Sequence, residues 1–182
     1  MSGPTENFMI YPVIAISLIA ACTDLVRGRI YNWLTFSGLV LGALASFWLR
    51  GVPGIWQSLA GIGLALALYG WMFWLGYLGG GDLKFLMALG AWGGPLFTLD
   101  VALLAIFLGG ALAATLLIAQ GHALEFSRKL GRLAISLLVH EMEVELPKLN
   151  RKLTLPYGVP MALAAIWVLL ANPMERWGLR PW

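Results

Sequence analysis

"IWQSLAGIGLALALYGWMFWLGYL", Ile55 to Leu78, runs for 24 residues without one charged side chain. A helix rises about 1.5 Å per residue, so roughly 20 apolar residues cross the hydrocarbon core of a bilayer. The run is long enough to span a membrane. It gives way at once to "GGGDLK", Gly79 to Lys84. Three glycines and a bare carboxylate beside such a run raise the question of what the acid is for, since a carboxylate is expensive next to lipid.

The rest of the chain has the same character. Of its 182 residues 60% are hydrophobic and 12% charged, about half the charge of an ordinary soluble domain. The apolar runs follow one another so closely that no independent soluble module fits between them, and one membrane-embedded domain over 1–182 is expected. Six runs emerge: Phe8–Thr23, Trp33–Leu49, Ile55–Leu78, Leu83–Trp92, Leu99–Ala119 and Tyr157–Ala171. The fourth is short, because Gly93-Gly94-Pro95 interrupts it, so it either crosses with irregular ends or re-enters on its own side. No Lys or Arg precedes the first run, which reads as a retained helix and not as a cleaved export signal.

Basic residues choose between the two topologies, because Lys and Arg collect in short cytoplasmic loops. With six crossings and the N-terminus outside, Arg27, Arg29, Lys84, Arg128, Lys129, Arg132, Lys148, Arg151 and Lys152 lie inside. Only Arg50, Arg176 and Arg180 lie outside. A re-entrant fourth run would move the six basic residues between Gly121 and Leu153 outward and cancel the bias. The expected fold is therefore all-α, a polytopic protein with six transmembrane helices.

Topology makes the aspartates informative. The chain has three, Asp24, Asp82 and Asp100. Asp24 closes the first run and Asp82 follows the third, which puts both at the cytoplasmic face; Asp100 belongs to the other face. A helix N-cap accounts for Asp82 alone. Asp24 resists a local explanation, because a negative charge near a helix C-terminus opposes the macrodipole. Two carboxylates in one site share a proton, and so supply a base to activate water and an acid to protonate a carbonyl oxygen. The glycines would let backbone approach the acid and an extended substrate.

Gly79-Gly80-Gly81-Asp82-Leu83-Lys84 resembles the GxGD-x-K motif of the type IV prepilin peptidases, intramembrane aspartic proteases. "DLVRGRIYNWLT", Asp24–Thr35, resembles their first motif, D-x(4)-R-x-I-P-N. The resemblance implies Asp24 and Asp82 as the catalytic pair, with Arg29, Asn32, Gly79, Gly81 and Lys84 shaping the site. "LPYG", Leu155–Gly158, resembles a short family element, which makes Tyr157 and Gly158 candidates for substrate binding. Tyr31 stands where the family usually has Pro, a change expected to loosen the turn. The four-cysteine cytoplasmic insertion of the larger bifunctional members is absent, so the chain resembles the short form associated with Flp (Tad) pili. Cleavage of a prepilin or pseudopilin with a basic N-terminal leader follows from the resemblance, with the active site facing the cytoplasm and no cofactor.

Between Gly121 and Leu153 the residues Leu130, Leu133, Ala134, Leu137 and Leu138 recur at helical spacing beside Arg128, Lys129 and Arg132, as in an amphipathic helix lying on the inner leaflet, its apolar side in membrane lipid. Glu141, Glu143 and Glu145 alternate with apolar residues; they form either a solvated loop or a surface for the basic leader. His140-Glu141 lacks the second histidine of a zinc protease motif, Val144 standing in its place. The lone Cys22 forms no internal disulfide, and no metal site is expected. Trp33, Trp48, Trp56, Trp92, Trp177 and Trp182 read as interfacial anchors. The excess of positive charge is explained by topology and does not call for nucleic acid. The alternative function is a proton- or cation-coupled transporter or channel using the same two acids, although no internal repeat supports it.

Overall fold

The computed structural model describes residues 4–119 and 156–171. The described residues form helices α1 (Pro4–Arg27), α2 (Asn32–Arg50) and α3 (Val52–Trp74), a fourth element over Gly80–Ala119, and a last helix over Gly158–Ala171. No strand occurs among them. The amphipathic helix expected between Gly121 and Leu153, Glu141, Glu143, Glu145, Trp177 and Trp182 lie outside the described residues.

Gly94 divides the fourth element, with φ 76° and ψ −173°, and Pro95 follows it. We call the two halves α4 (80–93) and α5 (95–119), and the last helix α6. The break is a reversal of direction. A Cβ built on Gly90 would lie 2.7 Å from Thr98 Oγ1, whereas eight residues of continuous helix would hold the two about 12 Å apart. Farther down, Tyr69 on α3 bonds the carbonyl of Ala102, and Gly109 lies against the ring of Tyr157. The fourth and fifth apolar runs thus form a helical hairpin with a one-residue turn at the interruption.

α1 to α3 and the Gly80–Ala119 element are each long and apolar enough to cross a membrane; α6, with 14 residues, spans about 21 Å. The protein is a multi-pass membrane protein. Its ends and turns are set by residues suited to them. Gly28 (φ 61°) stops α1 and donates its N–H to the Asp24 carbonyl at 2.8 Å. Gly76 (φ 79°) stops α3, with bonds from Gly76 to Phe73 and from Tyr77 to Met72, the double closure that a glycine in the left-handed region permits.

Within lipid, helices gain little from hiding apolar surface and associate by close packing and polar contacts. α3 meets α4 where Gly61 faces Gly90, so closely that a Cβ on Gly61 would fall 2.2 Å from the Gly90 carbonyl oxygen. α2 meets α3 through Gly54, against the Ser46 carbonyl. α2 meets α4 through Ser46, which donates to the Ala91 carbonyl at 3.1 Å, and through Trp92, whose indole N–H donates to the Gly38 carbonyl at 2.8 Å. Trp92 is therefore a core residue, 5% exposed, and not the interfacial anchor its place near a run's end suggested. Gly42 leaves the room its ring occupies. Trp33, Trp48 and Trp56 are exposed, as anchors should be.

The chain divides into two compact units, residues 1–109 with 156–182, and residues 110–155. Of the second, only residues 110–119 are described, and they are helical.

Candidate active site

Asp24 sits in the last turn of α1 and is buried, 5% exposed. Its partner is far away in sequence. The Gly158 N–H donates to Asp24 Oδ2 at 2.7 Å, and the N–H of Val159 bonds the same carboxylate. These donors belong to the first turn of α6, whose amide groups have no partner within their own helix. Asp24 thus opposes the dipole of the helix that carries it and complements the dipole of α6. Gly158 is required there: a Cβ would lie 2.8 Å from Asp24 Oδ2 and 2.8 Å from Ile30 Cδ1.

Asp82 is half-buried at the start of α4. Backbone bonds from Asp82 and Leu83 to the Gly79 carbonyl make Gly79 the capping position and Asp82 the third residue of the helix. The N-cap alternative for Asp82 thus falls three positions off, since Gly79 holds that place. The carboxylate reaches back to the Gly79 N–H instead, the return half of a capping box. Gly79 has to be small for this, since a Cβ there would lie 2.8 Å from Asp82 Oδ2. Gly81 answers a different neighbour: a Cβ on it would sit 3.3 Å from the Ile30 carbonyl oxygen and 3.4 Å from Ile30 Cβ.

Ile30 is the common floor. It is buried, with Gly158, which binds Asp24, against its side chain and Gly81, which precedes Asp82, against its backbone. Charge on Asp24 acts on Asp82, and charge on Asp82 acts on both Tyr69 and Tyr157. Asp24, Asp82, Tyr69 and Tyr157 form one neighbourhood where α1, α3, α4 and α6 meet. Asp100 is buried beyond the Gly94 turn, toward the opposite end of the α4–α5 hairpin.

The two sequence motifs also touch at the surface. Lys84 Nζ donates to Asn32 Oδ1 at 3.0 Å, between exposed side chains. Arg29 does not point to the acids. Its guanidinium lies 5.3 Å from the centre of the Tyr31 ring, with Arg27 at 5.5 Å. Arg27 also donates to the Tyr31 hydroxyl, and this bond, with Arg29 acting in the same direction, holds the phenol below its ordinary pKa. Tyr31 does not loosen the turn as expected: its φ of −75° and ψ of 136° lie where proline itself sits, and its carbonyl accepts from Leu34 and Thr35 at the start of α2.

The family model described as "Type IV leader peptidase family" matches residues 11–114, more than half of the chain, with Asp24 and Asp82 inside the match. The chain belongs to the type IV leader peptidase family. Among curated proteins and solved structures, none matches it. As a leader peptidase family member it is a peptidase, a hydrolase of peptide bonds, and its substrate is a peptide. Tyr157 and Gly158 lie beyond the matched residues, yet the fold brings them to the two acids. Sequence reasoning missed Tyr69, which sits inside a run that gave it no local mark; its one signal was a hydroxyl in a segment otherwise fit for lipid.

Proposed function

We propose that the protein is an aspartic endopeptidase that removes the basic leader from a type IV prepilin or pseudopilin of the Flp type, with Asp24 and Asp82 as its catalytic pair. The observation that carries this reading is the neighbourhood the acids share: the first turn of α6 holds Asp24, its Gly158 and the Gly81 beside Asp82 both pack on Ile30, and the charge of Asp24 acts on Asp82. One carboxylate, ionised, takes a proton from water as the water oxygen bonds to the peptide carbonyl carbon. The other, protonated, gives its proton toward the carbonyl oxygen. Collapse of the tetrahedral intermediate breaks the C–N bond, and the leaving amine takes a proton from the site. Water is the nucleophile and the reaction uses no cofactor. Arg29, Asn32, Gly79, Gly81 and Lys84 shape the turns that hold the pair, Tyr157 and Gly158 border the substrate, and Glu141, Glu143 and Glu145 attract the basic leader.

Six crossings within a single domain over 1–182, with the acids at the cytoplasmic side of the inner membrane, fit this reading. The reversal at Gly94 supports it, because α5 returns toward the end that holds Asp82. So does the basic bias of the loops at that end.

Co-expression with a Flp-type prepilin tests the activity. The substrate should shift to its mature size with the intact chain and stay at its precursor size with Asp82→Asn; a precursor left uncut by an inserted, folded wild-type chain would refute the assignment. Single cysteines placed in 121–153, in a Cys22→Ser background, test the sidedness. They should resist an impermeant thiol reagent added outside intact cells, and labelling from outside would overturn the topology.

A further inference from the structure

Tyr69 is buried, 1% exposed, and its hydroxyl makes two bonds that join three helices. It donates to the carbonyl of Ala102 on α5 at 3.0 Å, and it lies 2.9 Å from the hydroxyl of Tyr157 at the threshold of α6. A carbonyl oxygen has no proton to give. The proton of Tyr69 is therefore committed to Ala102, and Tyr157 must donate to Tyr69. This fixes the direction of the whole chain, Tyr157 to Tyr69 to Ala102.

Tyr157 is held from its ring as well. Gly109 on α5 presents bare backbone to it, so that a Cβ would come within 2.5 Å of Cε2. The rings of Tyr69 and Tyr157 stand 6.1 Å apart and tilted by 57°, a geometry aromatic pairs favour. The residue after Tyr157 is Gly158, whose N–H is bound to Asp24. Both phenols lie within reach of the charge of Asp82. Tyr157-Gly158 is thus a two-residue bridge, fastened to Asp24 through its backbone and to α3 and α5 through its side chain.

We infer that Tyr69 is a positioning residue for the acid pair: through the Tyr157 hydroxyl it fixes the first turn of α6, and so the place of the Asp24 carboxylate relative to Asp82. This rests on the proposed pairing of Asp24 with Asp82 and extends it to a residue of α3 that carries no motif. A buried tyrosine that served packing alone would not need its hydroxyl. Here the hydroxyl is the joint, bonding α5 and the threshold of α6 together.

The test uses the full chain, purified in detergent or in liposomes, on a Flp-type prepilin. Tyr69→Phe keeps the ring and removes the joint, and Tyr157→Phe removes its other half. Each should lower kcat about fivefold to tenfold, the size of one well-placed hydrogen bond, with KM unchanged in Tyr69→Phe, whose residue does not border the substrate. The double variant should be hardly worse than either single one, since both cut one chain. The bell-shaped pH profile of kcat/KM should narrow in both, because the spacing of its two limbs grows with the coupling between the acids and falls as they separate. Thermal unfolding of each variant separates a packing effect: a lowered Tm with unchanged kcat and an unchanged bell would overturn the inference. So would wild-type kinetics in both variants while Asp82→Asn stays inert, an outcome that leaves the peptidase reading intact. A wild-type chain that cuts no prepilin would instead remove the reading on which the inference stands.

Discussion

Gly158 and Asp24 are 134 residues apart in the chain, and the N–H of one lies 2.7 Å from the carboxylate of the other. The contact ties the last helix to the first and makes an acid that is misplaced on its own helix well placed for another. Gly158→Ala should therefore strike the site and the fold together, because its Cβ would meet Asp24 Oδ2 and Ile30 Cδ1 at 2.8 Å each. We expect cleavage to fall at least tenfold and stability by about 1–3 kcal/mol, the range of an overpacked core. Adding Ile30→Val, which removes one of the two obstacles, should restore part of the stability. Wild-type activity in Gly158→Ala would show that the close approach is immaterial.

The bond from Lys84 to Asn32 joins the two motifs between exposed side chains, so its worth in stability should be small. A double-mutant cycle of Asn32→Ala and Lys84→Ala, read by thermal unfolding, should give a coupling of about 0.2–1 kcal/mol. Because the bond spans the turns that carry both acids, the loss in kcat of the double variant should be smaller than the sum of the single losses. Strict additivity in kcat would mean that the two residues act separately.

Tyr31→Pro should be tolerated. The backbone at Tyr31 already has φ −75°, so proline enters without strain and stiffens the unfolded chain, a change that typically stabilises by about 0.4–1 kcal/mol. The hydrogen bond from Arg27 would be lost and offset part of this, which leaves the unfolding midpoint near that of the wild type. A companion measurement follows from the lowered pKa of the phenol. In Arg27→Gln, ultraviolet titration should show one tyrosine ionising at higher pH than in the wild type, because the donor that favours the phenolate is gone. An unmoved titration would exclude the Arg27–Tyr31 bond from the folded protein.

Gly61→Ala addresses the frame beneath the site. The obstacle at 2.2 Å is the backbone oxygen of Gly90, which no rotamer change removes, so α3 and α4 must separate. The variant should unfold at markedly lower temperature, and trimming neighbouring side chains should not rescue it. Equal stability in Gly61→Ala would contradict the crossing.

Much of the helical frame was legible because crossing a bilayer demands long apolar runs, and four helical elements among the described residues are long and apolar enough to cross one. Gly94-Pro95 was legible as a break but not as a reversal, since the direction a chain takes after a left-handed glycine is decided by what packs across it, here Gly90 against Thr98. That Asp24 and Asp82 share one neighbourhood was legible because both acids fall at run ends on the same side of the frame. The partner of Asp24 was not, because a backbone N–H carries no sequence signature and this one lies across nearly the whole chain. Tyr69 and Trp92 were hidden for the same reason: in an apolar run, a ring that faces lipid and one that bonds a neighbouring carbonyl read alike.

The central claim is that Asp24 and Asp82 work as one proton-sharing unit, and the most direct measurement is the cleavage rate of Asp24→Asn, Asp82→Asn and the double variant on one prepilin. An amide keeps nearly the size of the carboxylate, and its oxygen can still accept the N–H of Gly158 or of Gly79, so all three proteins should insert and fold. Each single variant should lose nearly all cleavage, and the double variant should be hardly slower than either, as for residues that act together. Substantial cleavage by a folded Asp82→Asn protein, or losses that multiply in the double variant, would contradict the account.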